Sequence, residues 1–134
     1  MSGDKASPAT KRAFGYLDAN AQALAGTGDH IFYFGELGMQ EVETAALMTG
    51  LLEEGGFKVE RGISGFPTGF MASWGEGGPV LALHTEYDAN PNNSQQAGVA
   101  EQAEIVPGAP GHCEGHNVNA AVMTGAALAI KTVM

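Results

Sequence analysis

The sequence predicts an α/β fold in which helices flank a central sheet, and three features of its pattern predict it. Apolar residues first recur at helical spacing, over residues 8–54. The period then shifts to that of short strands between residues 57 and 74. Finally, Pro79-Val-Leu-Ala-Leu83 is an uninterrupted apolar run. Such a run reads as a strand covered on both faces, the pattern found at the centre of an α/β sheet.

Each element has its own local cause. Ser7-Pro8 is a helix start, with the serine as cap and the proline at the first helical position. Phe14, Leu17, Ala21 and Leu24 then follow at helical spacing, and Gly26-Thr-Gly28 is expected to end that helix. Asp29 would cap a short second helix carrying His30, Ile31 and Tyr33. A further helix is expected from about Gln40 to Glu54, with Val42, Ala45, Ala46, Leu47, Leu51 and Leu52 on its apolar face and Gly55-Gly56 as its stop. Phe57, Val59 and Arg61 alternate as a strand, and Phe66–Trp74 is a second strand rich in aromatic residues. Gly75-Glu-Gly-Gly78 is turn chemistry; it lacks the Lys-Ser/Thr ending of a phosphate loop and precedes a strand. A small-residue helix closes the chain from about Asn117 to Met134. Phe32, Tyr33, Phe34, Met39, Phe66, Phe70, Met71 and Trp74 are assigned to the core, and Glu53, Glu54 and Glu60 to a solvated face.

Composition narrows the functional classes. At 134 residues the chain is one domain or a piece of one. Its net charge of −9 opposes contact with phosphate backbones or anionic membranes, so neither nucleic acid nor membrane is an expected partner. The lone Cys113 builds no disulfide framework, which fits a reducing, cytoplasmic setting. Met1–Arg12 lacks the apolar core of a signal peptide. The 20 glycines, spread without period, point to a backbone that bends tightly at many places.

The chemistry gathers at the two ends of a long aperiodic loop, Asp88 to Asn117. His84-Thr-Glu86-Tyr-Asp88 follows the apolar run, where open α/β sheets bind their ligands. Those residues read equally as strand-end caps that bond the following loop. Gly111-His-Cys-Glu-Gly-His-Asn117 places His112, Cys113, Glu114 and His116 within five residues, all of them side-chain types that ligate transition metals. In an extended segment Glu114 and His116 project to one side, with His112 joining them if the extension continues. The plainer alternative is a polar loop with two solvated histidines ahead of a helix. A nucleophilic Cys113 would need a base and an orienting partner, and the sequence offers only nearby histidines.

The motifs also run in a recognisable order. They are Glu36-Leu-Gly-Met-Gln-Glu41 with Thr44, Gly55-Gly-Phe57, Phe66-Pro-Thr-Gly-Phe70, Gly77-Gly-Pro79, Glu86-Tyr-Asp88-Ala, Asn93-Ser-Gln95 and the Gly111–Asn117 run. In this order the chain resembles the N-terminal part of the aminobenzoyl-glutamate hydrolase branch of the aminoacylase and carboxypeptidase metallohydrolases. Within that branch it is most similar to members that remove the ring amino group of a nitroaromatic acid.

The resemblance implies a catalytic domain with a mostly parallel central sheet, of which residues 1–134 are the N-terminal portion. The remainder of that domain, a smaller dimerisation domain and the general-base glutamate would come after Met134. It also implies a manganese or zinc ion and homo-oligomerisation of the full protein. Glu114, His116 and Asp88 would form the metal site, Asp88 by orienting a ligand. Glu86 would face the site, and His112 would join Glu86 and Asp88 as a catalytic group. Relatives read His-x-Cys-Gly-His where this chain has Glu114, and a carboxylate in place of a thiolate favours a harder ion such as manganese. The expected reaction is hydrolytic deamination of 5-nitroanthranilate to 5-nitrosalicylate and ammonia. The alternatives are cleavage of an aminobenzoyl-glutamate or N-acyl amino acid amide, and a metal-binding fragment without catalysis.

Overall fold

In the computed structural model, which describes residues 6–134, the chain begins with a helix, α1 (Pro8–Phe34). The first five residues of the Met1–Arg12 start lie outside the described part. Ser7 caps α1 as its sequence predicts, its Oγ accepting from the Thr10 amide at 3.1 Å. The expected break at Gly26-Thr-Gly28 does not occur: α1 runs through it and absorbs the segment assigned to a second short helix.

Packing explains that difference. Gly28 is buried against the C-terminal helix α3 (His116–Lys131), where a Cβ would lie 3.6 Å from both the Ala121 Cβ and the Asn117 carbonyl. The Asn117 side-chain amide donates to the Gly28 carbonyl at 3.1 Å. A mid-helix glycine costs about 1 kcal/mol relative to alanine, and close approach of a partner helix offsets it. Gly125 serves the same contact from the other side, since a Cβ there would lie 2.9 Å from a Leu24 methyl. α1 ends seven residues later than expected at Gly35, left-handed at φ 54°, whose N–H donates to the Ile31 carbonyl.

α2 (Val42–Glu54) starts two residues after its expected position. Its N-terminus is capped from a distance: the Glu36 carboxylate accepts from the amides of Glu43 at 2.8 Å and Thr44 at 2.9 Å. A carboxylate there satisfies two orphan N–H groups and meets the positive end of the helix dipole. Lys131 donates to the Gly55 carbonyl at the other end of α2.

β1 (Lys58–Arg61) and β2 (Phe70–Ser73) pair antiparallel, with Lys58 opposite Ser73 and Arg61 opposite Phe70. They sit inside the predicted strands but are shorter than expected. Arg61 makes a two-pronged ion pair with Glu53 of α2, at 2.7 and 2.9 Å. Glu53, Glu54 and Glu60 are all exposed, as expected.

Two expectations need correction. Residues 79–83 form no strand among the described residues, and the run is not covered on both faces: Val80 is 88% exposed. An apolar run becomes a buried strand only where neighbouring strands supply its hydrogen bonds, and none lies beside it among the described residues. The sheet present is two-stranded and antiparallel. Most aromatic and methionine residues assigned to the core also lie outside it, with Tyr33, Phe34, Met39, Phe66, Met71 and Trp74 exposed. The core is instead built on Ile31, Met48 and Ala120, with Leu47, Phe70 and Tyr87 packed around them. The contact between α1 and α3 is made by small residues rather than rings, Gly28 meeting Ala121 and Gly125 meeting Leu24. No helix of the described residues is long and apolar enough to cross a membrane.

The long loop is a hydrogen-bonded structure of its own. Ser94, buried, accepts the Val106 amide on its Oγ and donates its backbone N–H to the Ala109 carbonyl. The Gln95 side chain accepts from the Ala103 amide and donates to the Glu101 carbonyl. The Asn93-Ser-Gln95 motif is thus the brace of the loop, which returns residue 111 to residue 90.

Candidate metal centre

The chain segment 88–90 is pinned on both sides. Ala89, buried, pairs with Leu37 as a parallel bridge, its N–H donating to the Glu36 carbonyl at 2.7 Å. Asn90 and Gly111 exchange both backbone hydrogen bonds at 3.0 Å. Gly111 is required there, because a Cβ would collide with the Asn93 carbonyl. Tyr87 anchors the same segment from the preceding position. Its ring stacks on Phe70 and its hydroxyl donates to the Thr68 carbonyl at 2.5 Å. Burial, followed by the Glu41 and Glu36 charges, pushes the phenol up to about 12.

These contacts bring Asp88 against the start of α3. The helix begins at His116, after Gly115 in a left-handed conformation at φ 89°. His116 Nδ1 lies 3.0 Å from Asp88 Oδ1, and its Nε2 lies 3.3 Å from Glu114 Oε2. Each nitrogen of one imidazole therefore faces a carboxylate. Asp88 favours the tautomer with its proton on Nδ1, which leaves the Nε2 lone pair free for a ligand.

His112 lies close by but points elsewhere, its Nε2–H donating to the Ile31 carbonyl at 3.1 Å. Burial pushes its imidazole below the ordinary histidine value, and the hydrogen bond to Ile31 opposes that shift. Cys113 is exposed. Its Sγ lies 3.4 Å from the Asn90 amide nitrogen, which also donates to Glu114 Oε1. His84 and Glu86 are exposed, and among the described residues neither side chain makes a hydrogen bond or ion pair.

Of the residues singled out in the sequence, the structure thus joins Asp88, Glu114 and His116, sets His112 beside them, and leaves Glu86 apart. Asn90 was not among them. It sits in an aperiodic Asn-rich stretch, and only the pairing with Gly111 shows what it faces.

The donor types suit a borderline or hard transition ion: one imidazole nitrogen and one carboxylate oxygen converge, and a second carboxylate steadies the imidazole. Among the described residues no three His, Cys, Asp or Glu side chains converge on one point. The described residues accordingly fit a metal as a partial ligand set of two donors, His116 Nε2 and Glu114 Oε2.

At the joint between an extended segment and a helix start the structure thus sets one histidine between two carboxylates. The chain is 38% identical over 115 residues to a p-aminobenzoyl-glutamate hydrolase subunit of Escherichia coli (strain K12). The match covers 86% of this chain and 24% of that protein, so the chain spans about a quarter of its relative's length. This similarity supports the aminobenzoyl-glutamate hydrolase branch; it gives no support to the narrower resemblance to nitroaromatic deaminases. No protein-family model matches the chain, and no solved structure matches it.

Proposed function

We propose that this chain is part of a metal-dependent hydrolase that cleaves a carbon–nitrogen bond of an aromatic acid, first among them the amide of an aminobenzoyl-glutamate-type substrate. The observation that carries this reading is His116 held between Asp88 and Glu114. Identity of 38% to a hydrolase subunit supports the reaction class.

In this reading His116 and Glu114 would hold a manganese or zinc ion. When bound, the ion supplies Lewis acidity that polarises water or the substrate. Asp88 holds a proton at His116 Nδ1, which fixes the ring plane and leaves the opposite nitrogen basic. His112 donates from Nε2 to the Ile31 carbonyl, so in its neutral form its Nδ1 is an acceptor beside the centre. Glu86, exposed and without a side-chain partner among the described residues, is assigned to the substrate side. The general base and remaining ligands are assigned to parts of a longer polypeptide, in keeping with a match to 24% of the relative. The same longer chain would supply strands beside residues 79–83 and so complete a mostly parallel sheet. Assembly with further subunits is proposed from the relative's description as a subunit.

A second reading is hydrolytic deamination of a nitroanthranilate. It rests on the resemblance and on Glu114, a harder donor standing where the resemblance expects a cysteine. The intact protein, loaded with manganese or zinc, is assayed on aminobenzoyl-glutamate and on 5-nitroanthranilate. Release of glutamate is the expected result. Ammonia release without amide cleavage would replace the first reading with the second. Bound metal with neither product would leave a metal-binding module and overturn the enzymatic reading.

A further inference from the structure

Asp88 and Asn90 are alternate residues of one extended segment, so their side chains project to the same side. The residue between them, Ala89, is buried on the opposite side, 3% exposed. The segment cannot slide, because Ala89 is bonded to Glu36 on one flank and Asn90 to Gly111 on the other. Two polar side chains are thereby presented at fixed spacing to the loop 111–116. Asp88 meets His116, and Asn90 meets Glu114 and Cys113.

The chemistry of the second contact is specific. A side-chain amide carries two N–H donors and one acceptor oxygen. Turned the other way, the Asn90 oxygen would face a carboxylate oxygen, so the nitrogen must point at Glu114. One N–H then occupies Glu114 Oε1, and the nitrogen lies 3.4 Å from Cys113 Sγ. With Oε1 engaged, Oε2 is the oxygen that faces His116 Nε2, 3.3 Å away. A carboxylate ligand left free on an exposed loop would rotate among many orientations, and ordering it on binding costs free energy.

We propose that Asn90 is a positioning residue for the metal ligand Glu114, playing for that carboxylate the part Asp88 plays for His116. It engages Glu114 Oε1, leaves Oε2 facing His116 Nε2, and holds the Cys113 thiol beside the same amide. The proposal rests on the reading of Glu114 and His116 as metal ligands. Partners of this kind that hold ligands in place contribute on the order of 10–100-fold in metal affinity.

The test is cobalt(II) binding to the intact protein, read by affinity and by the visible ligand-field spectrum, for wild type, Asn90→Leu and Asn90→Gln. Leucine keeps the bulk and removes both donors, whereas glutamine keeps the amide. Neither disturbs the backbone exchange with Gly111. Asn90→Leu is expected to weaken cobalt on the order of 10–100-fold and to alter the spectrum, while Asn90→Gln restores most of both. A metal-free melting curve confirms folding, and Asn90→Ala replaces the leucine variant if that one does not fold. Wild-type affinity and spectrum in the donor-less variant overturn the proposal. So does a glutamine variant as weak as the leucine one, since the amide would then not be the active feature. Wild-type protein that takes up no cobalt contradicts the metal reading itself, and the role of Asn90 falls with it.

Discussion

His116 Nδ1 lies 3.0 Å from Asp88 Oδ1, across 28 residues of sequence. The two come from different kinds of structure, one from an extended segment and the other from the first turn of a helix. The contact sets the ring plane and the tautomer of the histidine, and so decides which nitrogen is left to bind a ligand. Replacing Asp88 by asparagine preserves shape but removes the anionic acceptor. Asp88→Asn is expected to weaken manganese or zinc binding on the order of 10–100-fold, measured by metal titration of the intact protein. Nitrogen-15 chemical shifts of His116 provide a second readout, showing a loss of the Nδ1–H tautomer.

The hydrogen-bond exchange between Asn90 and Gly111 leaves no room for a side chain at residue 111. Gly111→Ala forces the Asn93 carbonyl aside, and overpacking of this sort costs about 1–3 kcal/mol. The expected outcome is a lower denaturation midpoint together with weaker metal binding, because the loop carrying Glu114 and His116 is displaced. Unchanged stability would show that the loop yields freely.

Glu36 is the remote cap of α2, bonded to the amides of Glu43 and Thr44. Its loss exposes two orphan donors at a helix start. Glu36→Ala is expected to destabilise the protein by about 1 kcal/mol, within the range for lost caps, as read by chemical denaturation. Glu36→Gln, which keeps an acceptor oxygen, is expected to fall between the two.

Tyr87 gives a pH signature. Its folded pKa of about 12 exceeds the ordinary tyrosine value of about 10. The native state therefore holds this proton where the unfolded chain has released it. The stability contribution is full below pH ~10 and is lost as pH rises from there through ~12. Tyr87→Phe is expected to flatten that alkaline decline in a series of denaturation curves. A decline of the same depth in both proteins would place its origin elsewhere.

The helices, the short strands and the polar cluster 111–117 were legible in the sequence because they rest on local rules: caps, periodicity, and ligand types packed close together. Gly26-Thr-Gly28 misled because glycine has two uses, ending a helix or admitting a neighbour, and the choice depends on Ala121 and Asn117 of α3. The run at 79–83 is no strand among the described residues, because burial of a strand is decided by the strands beside it. In the site, Glu114 and His116 meet, but not along an extended segment as expected. Gly115 is left-handed at φ 89° and His116 already opens α3, so a turn brings them together while His112 bonds Ile31 instead. Their supports, Asp88 and Asn90, lie on the other side of a twenty-residue loop whose closure depends on Ser94, Gln95 and Gly111. Nothing local marks Asn90, and Glu86, similar in type and position to Asp88, is left apart from the centre.

Metal content of the intact protein, measured for wild type, His116→Ala and Glu114→Ala after equilibration with manganese or zinc, tests the central claim most directly. Wild type is expected to retain bound metal after removal of free ion, and each alanine variant to lose most of it while keeping its melting curve. Retention of wild-type metal content in both variants would contradict the assignment of this centre.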